Sequence, residues 1–266
     1  MRKVLMLSLV ILILVGCSRQ TQDDSKLIVG MECAYPPFNW VQTEDSDFAV
    51  ALDNGMYCDG YDVQIAKLIA SELNRELVIH VNPIFDALLT DVQNGVIDLI
   101  IAGMTDTEER REAVDFTDIY YNTEIVVVVR KDSDLAQAES IHDFENARVA
   151  AQTGTTHDVL IEQMNGVEHM MSLENFPTLT TNLVNNAIDA FIAENVVAEA
   201  IIETNPTLTY VQFKGDQGFA LEEDMSVSIG LQKGNTTLKD AINEVLSSLT
   251  QEDRTEMMND AITRQP

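Results

Sequence analysis

From residue 27 onward, short apolar runs rich in β-branched residues alternate with stretches in which apolar side chains return every three or four positions. The runs at 27–30, 76–81, 97–102, 125–129, 148–151, 188–193 and 227–231 predict strands. Helices are predicted over 62–73, where Ile65, Leu68, Ile69 and Leu73 share a face, and over 83–92, 155–164, 194–203, 236–248 and 251–262. The run IVVVV at 125–129 has no polar position, which predicts a strand buried on both faces. Alternating strands and helices imply an α/β fold with a mainly parallel sheet covered on both sides.

A weak repeat underlies the pattern. At an offset of 91, LLTDVQNGVIDLIIAG (88–103) matches LTTNLVNNAIDAFIAE (179–194) at seven of sixteen positions. The repeat predicts two lobes of similar build and places Gly103 and Glu194 at equivalent points, just past the C-terminal end of a strand. Ligands of open α/β sheets bind at that edge.

The first 26 residues follow another pattern. Arg2 and Lys3 precede an apolar run over 4–15 that closes on Leu14-Val15-Gly16-Cys17. A basic start, a short apolar core and small residues at its end predict a secretory signal over 1–16. The run is shorter than the roughly 20 residues that span a bilayer. Its end resembles a bacterial lipobox, so Cys17 is the expected lipidation site and 17–26 a polar tether to the outer side of a membrane.

The remaining length suits one large domain or two small ones. Acidic residues number 44 against 16 basic ones, for a net charge of −28, or −30 without Arg2 and Lys3. Such a balance argues against nucleic acid as a partner. Beyond Cys17, only Cys33 and Cys58 remain. In an exported chain they form a disulfide, or Cys33 is a buried free thiol.

Against that acidity, the adjacent Arg110 and Arg111 stand out. Thr107 is a good N-cap, with Glu108 and Glu109 in the first helical turn. Neighbouring helical residues point about 100° apart, so only one of the two arginines can face a cleft at the strand edge. A guanidinium fork there would clamp a carboxylate, with the Thr105 hydroxyl nearby. The alternative is a surface Arg–Glu network. The loop Gln152-Thr153-Gly154-Thr155-Thr156-His157 starts a predicted helix and presents N–H groups to an anion, or is a plain glycine turn with a threonine cap. It lacks the phosphate-binding GxxxxGK[ST] pattern. Tyr35, Phe38 and Trp40 cluster in ECAYPPFNW after the first strand, where aromatics can flank a ligand, and Glu32 beside them can meet a cation. Neither GxSxG, HExxH, a CxxC pair nor GxGxxG occurs, and the four histidines lack metal-ligand spacing. The expectation is a binding protein without metal or cofactor.

The ordered motifs ECAYPPF, GYDVQIAKLIASEL, FDALLTDVQNGVIDLIIAGMTDTEERREAVDFTDIYY, AAQTGTTHD and IDAFIAEN resemble the polar amino-acid solute-binding proteins of ABC importers, with the type II periplasmic-binding-protein fold. The resemblance covers about 27–262. It implies two lobes, 27–124 with 224–266 and 125–223, each with a mainly parallel sheet flanked by helices, joined by two chain crossings. It also implies that Arg110 grips the ligand α-carboxylate, with Thr105 and the Gly154, Thr155 and Thr156 loop, while the Gly103 carbonyl and Glu194 take the α-ammonium. Glu194 stands where many relatives have Asp. Tyr35 and Phe85, with Trp40 a further candidate, would flank the side chain. ECAYPPF, AGM and GTTH look similar to arginine- and lysine-binding members, with Glu32 placed for the distal cation. The implied partners are a free L-amino acid, an ABC permease and, through the lipid anchor, the membrane; a monomer is expected. Glutamine or cystine as ligand is the alternative, as is a catalytic relative of the cyclohexadienyl-dehydratase kind using Glu194 or His157.

Overall fold

The computed structural model describes residues 24–266. The signal at 1–16, Cys17 and most of the tether lie outside the described residues.

Two five-stranded sheets carry the fold. In the first, the strands lie in the order Glu76–Val81, Lys26–Met31, Leu99–Ile100, Val227–Gln232, Val114–Tyr121. In the second, the order is Glu168–His169, Arg148–Ala150, Ala190–Glu194, Ile125–Arg130, Leu208–Val211. In each sheet only the fourth strand runs against its neighbours. The sheets are therefore mainly parallel and share one strand pattern. The chain passes from the first sheet to the second between Tyr121 and Ile125 and returns between Val211 and Val227. The Thr123 hydroxyl donates to the Met225 carbonyl at 2.7 Å, tying the two crossings together.

The apolar run at 125–129 is an inner strand with Val126 to Val129 almost wholly buried, paired on both edges. A polar residue there would leave an unsatisfied group on either face. The internal repeat has a structural counterpart. Leu99–Ile100 and Ala190–Glu194 occupy the third place in their respective sheets. Asp98 Oδ2 accepts from the Ile28 N–H at 2.8 Å, and its counterpart Asp189 Oδ2 accepts from the Arg148 N–H at 3.1 Å. Asp189 also pairs with Arg130 and Arg148 at 2.8 and 2.9 Å. The Arg148 hydrogen bonds in particular hold its carboxyl well below the usual range.

Some boundaries move. The helix expected over 83–92 starts at Ala87, after a turn in which Asn82 Oδ1 accepts from the Ile84 N–H. The strand expected over 97–102 narrows to Leu99–Ile100, because the chain turns at Gly103, whose φ is 61°. The helix expected over 155–164 ends at Leu160 and continues as a 3₁₀ turn, Ile161–Gln163. A four-stranded ribbon of Ala34–Tyr35, Asn39–Gln42, Val50–Ala51 and Tyr57–Asp59 has no counterpart in the apolar pattern. Cys33 and Cys58 are joined, so of the two alternatives the disulfide is the one the fold adopts.

Candidate functional site

The short helix Glu108–Ala113 opens on Thr107, whose hydroxyl accepts from the Arg110 N–H at 3.2 Å. That turn separates the two arginines. Arg111 points outward and is half exposed, paired with Asp106 at 2.7 Å and with Glu223 at 3.8 Å. Arg110 points between the sheets and is 8 % exposed. One nitrogen of its fork, Nη1, donates to the Thr105 carbonyl at 2.9 Å and the other, Nη2, to the Gly154 carbonyl at 3.3 Å. The Phe85 ring lies 5.2 Å from its Cζ. Among the described residues, no carboxylate comes within 4 Å of this guanidinium. Burial lowers its pKa, while the more distant Asp86, Glu109, Glu194 and Glu223 favour its charge. A buried cation that uses carbonyl dipoles in place of a carboxylate keeps its ability to bind one.

Across the cleft, Glu194 ends the strand Ala190–Glu194 and is 2 % exposed. It accepts a hydrogen bond from the Tyr35 hydroxyl on Oε2. His157 Nε2 stands 3.3 Å from Oε1. The contact is close in distance but off hydrogen-bonding geometry, and both imidazole nitrogens are buried without a hydrogen-bond partner. Burial pushes the Glu194 carboxyl up, but the neighbouring His157 and the Tyr35 hydrogen bond outweigh it and leave the pKa below the ordinary value. Tyr35 stacks on Phe176 with centroids 4.8 Å apart.

Gly103 sits under the Tyr35 ring, where an added Cβ would meet Cε1 at 2.5 Å. Its N–H donates to the Tyr120 hydroxyl at 2.9 Å, and that hydroxyl donates to Asp62 at 2.6 Å. This buried chain fixes the Gly103 turn. Burial pushes Asp62 up to about 7, against the hydrogen bonds from Tyr120, Asn39 and Gly103. Glu32 is buried as well. Its Oε1 accepts from Gln152 Nε2 at 2.7 Å, while its Oε2 is buried without a partner. Burial drives its pKa up to about 8, with Asp62 and Glu174 adding to the rise and Gln152 opposing it.

One cavity is lined by Tyr35, Phe85, Gly103, Thr105, Arg110, Thr155, Thr156 and Glu194, all singled out in the sequence, and by Gln152, His157 and Phe176. Its volume is about 10 Å³, room for a single water. The Tyr35–Glu194, Glu32–Gln152 and Arg110–Gly154 bonds close it across the lobes. Gly154 lines the adjoining outer groove instead, packed against Asp86 so closely that a Cβ would fall 2.7 Å from its Cγ. Glu32 reaches the site through Gln152. Trp40 does not line the cavity: it is buried in the ribbon, and its indole N–H donates to Gln42 at 3.1 Å. Phe176 carries no local signal, but the offset of 91 maps Phe85 onto it.

The outer groove, about 850 Å³, includes Arg110 among the carboxylates of Asp86, Glu108, Glu109, Asp158, Glu222 and Glu223. Such an entrance attracts cations.

The model for bacterial extracellular solute-binding proteins, family 3, matches residues 27–261. The chain is 28 % identical to the arginine-binding extracellular protein ArtP of Bacillus subtilis, over 84 % of this chain and 80 % of that protein. It is 25 % identical to the L-cystine-binding protein TcyJ of Escherichia coli, over 88 % and 81 %. Among solved structures, an amino acid ABC transporter substrate-binding protein AbpA from Streptococcus pneumoniae, bound to L-arginine, superposes with a TM-score of 0.77 at 28 % identity, covering 90 % of this chain and 95 % of that one. The fold is the two-lobed type II periplasmic-binding-protein fold.

Proposed function

The chain belongs to the bacterial extracellular solute-binding proteins of family 3, and from that premise we propose that its interlobe cleft captures a free basic amino acid, arginine or lysine, for an ABC permease. The observation that carries this reading is the pair of buried, opposite charges on one cavity. Arg110 is held by carbonyls and Glu194 by a tyrosine hydroxyl beside an imidazole. That arrangement matches an amino-acid zwitterion. Arg110 takes the α-carboxylate, supported by Thr105, Thr155 and Thr156, and Glu194 with the Gly103 carbonyl takes the α-ammonium. Tyr35, Phe85 and Phe176 flank the side chain.

A cavity of about 10 Å³ does not hold an amino acid, so entry requires the lobes to part. The moving bodies are 27–124 with 224–266 and 125–223. The ligand favours closure by as much as it binds the closed form better than the open one, and contacts from both lobes supply that difference. Cys17 anchors the protein outside the cytoplasmic membrane, and the closed monomer docks on the permease.

The basic side chain is favoured by the six carboxylates of the outer groove and by the unpartnered Glu32 Oε2. Glu32, pushed up to about 8, is protonated at neutral pH, and a cation set beside it lowers that pKa, so that the carboxyl loses its proton to solvent and pairs with the cation. Glu32→Gln is therefore expected to weaken arginine binding about 10- to 100-fold, the effect of losing a charged hydrogen bond, while binding of neutral glutamine changes little. Equal losses for both ligands contradict the role of Glu32. Calorimetric titration with the twenty amino acids tests the function: arginine or lysine binds most tightly, and tight glutamine or cystine binding with arginine silent rejects the basic ligand.

A further inference from the structure

His157 is 3 % exposed, points into the cavity and has no hydrogen-bond partner on either ring nitrogen, yet Nε2 stands 3.3 Å from Glu194 Oε1. A buried polar ring in that position calls for an explanation. We propose that a protonated His157 is the counter-ion of Glu194 until the ligand α-ammonium replaces it, so that capture of an amino acid expels one proton from the imidazole to solvent. The inference rests on the amino-acid reading of the cleft.

The charge balance around the ring supports it. Arg110 lines the same cavity from the helix Glu108–Ala113, Glu194 faces the ring from its strand, and Tyr35 reaches Glu194 from the ribbon. Glu32 lies behind Gln152. On the helix that carries His157, the Asp158 Oδ1 is already taken by His169 and Ser172 at 3.0 and 2.8 Å. Glu194 is thus the only carboxylate in direct contact with the imidazole among the described residues. With His157 neutral, the buried Glu194 carboxylate has a tyrosine hydroxyl and no countercharge in contact with it, Arg110 being the more distant cation of the cavity. With His157 protonated and an α-ammonium present, two cations share one carboxylate beside Arg110 in a cavity from which water is excluded. Among those kinds of group, imidazole is the one whose charge ordinarily changes near neutral pH. The off-axis geometry is what allows the exchange: a ring locked to Glu194 by a linear hydrogen bond would obstruct the incoming ammonium, whereas this ring can turn aside.

The sign follows. A ligand that displaces a proton binds more tightly as pH rises through the imidazole range, by at most about tenfold per pH unit for one proton. A cationic side chain beside Glu32 would make that carboxyl release its own proton to solvent, so the experiment uses E32Q protein as its reference. Isothermal titration of E32Q with L-glutamine and with L-arginine, between pH 5.5 and 7.5 in buffers of different ionisation enthalpy, counts protons released. The expected result is release of up to one proton per ligand, largest at the acid end, for either amino acid. It is expected to vanish in E32Q/H157Q, whose affinity then stays flat over that range. Nitrogen NMR of the unmutated protein gives an independent readout: the His157 ring is cationic at pH 6 in the free protein and neutral once L-arginine is bound. Equal proton release with and without His157, no release in E32Q, or a ring still cationic in the complex overturns the proposal while leaving amino-acid binding intact. Failure of every amino acid to bind removes both readings.

Discussion

Arg110→Ala is expected to weaken amino-acid binding by about 2–5 kcal/mol, the cost of truncating one partner of a buried charge pair. That corresponds to roughly a 30- to 4,000-fold loss of affinity. Thermal stability is expected to change far less. The guanidinium's partners in the protein are two carbonyls, and burial works against its charge. Arg110→Lys keeps the cation but not the two-pronged fork and is expected to lie between. Arg111→Ala is the control. It removes a half-exposed ion pair with Asp106 and leaves affinity within about twofold, as exposed pairs contribute little. Binding of the Arg110→Ala protein within a few-fold of the original shows that the carboxylate clamp lies elsewhere.

Loss of the Cys33–Cys58 disulfide is expected to lower stability by about 3.5 kcal/mol, from the entropy of opening a loop with a sequence separation of 25. For a chain of this size that amounts to a drop of roughly 7–14 °C in Tm. Cys33 lies between Glu32 and the strand that carries Tyr35, and Cys58 lies in the ribbon strand Tyr57–Asp59. The bond therefore pins the loop that brings both Glu32 and Tyr35 to the cleft. Melting of C33A/C58A against the oxidised protein measures the effect, with reduced protein as a second route to the same loss. A Tm change within a degree or two shows that the loop is already fixed by its burial.

The site was legible where a local rule decides the outcome. Helical geometry separates Arg110 from Arg111, and the structure sets one in the cleft and the other in a surface pair. The all-apolar run at 125–129 reads directly as a doubly covered strand. The offset of 91 anticipated two sheets of like construction and put Gly103 and Glu194 on a single cavity. What escaped depends on pairing between distant segments. The ribbon has strands of two to four residues, too short for alternation to show. Trp40 looked like a cleft aromatic because it neighbours Tyr35 and Phe38. Pairing with Asp59 sets it in the ribbon, where it is buried. The bond between Glu32 and Gln152 joins residues 120 positions apart, and no composition or period announces it. Phe176 was within reach, as the repeat image of Phe85, had the offset been carried outward by three residues from 88–103.

The charges at the cleft form two layers. Outside, six carboxylates surround the approach to Arg110 and attract cations. Inside, Glu194 and Glu32 are buried in different states. Glu194 stays ionised beside His157 and Tyr35, whereas burial raises Glu32 to about 8. In the proposed complex a zwitterion with a basic tail would answer each in turn: its acid end to Arg110, its α-ammonium to Glu194 and its distal cation to Glu32. A neutral side chain leaves Glu32 protonated and hydrogen-bonded to Gln152 alone, which is the physical basis for preferring a basic ligand.

The most direct test is a crystal structure of the protein with the amino acid that copurifies from its host. The α-carboxylate is expected on the Arg110 fork, at two N–H···O distances near 2.9 Å, with the α-ammonium on Glu194 and both lobes in contact with the ligand. A bound amino acid whose carboxylate is held by other residues, with Arg110 directed to solvent or still spanning the Thr105 and Gly154 carbonyls, contradicts the account.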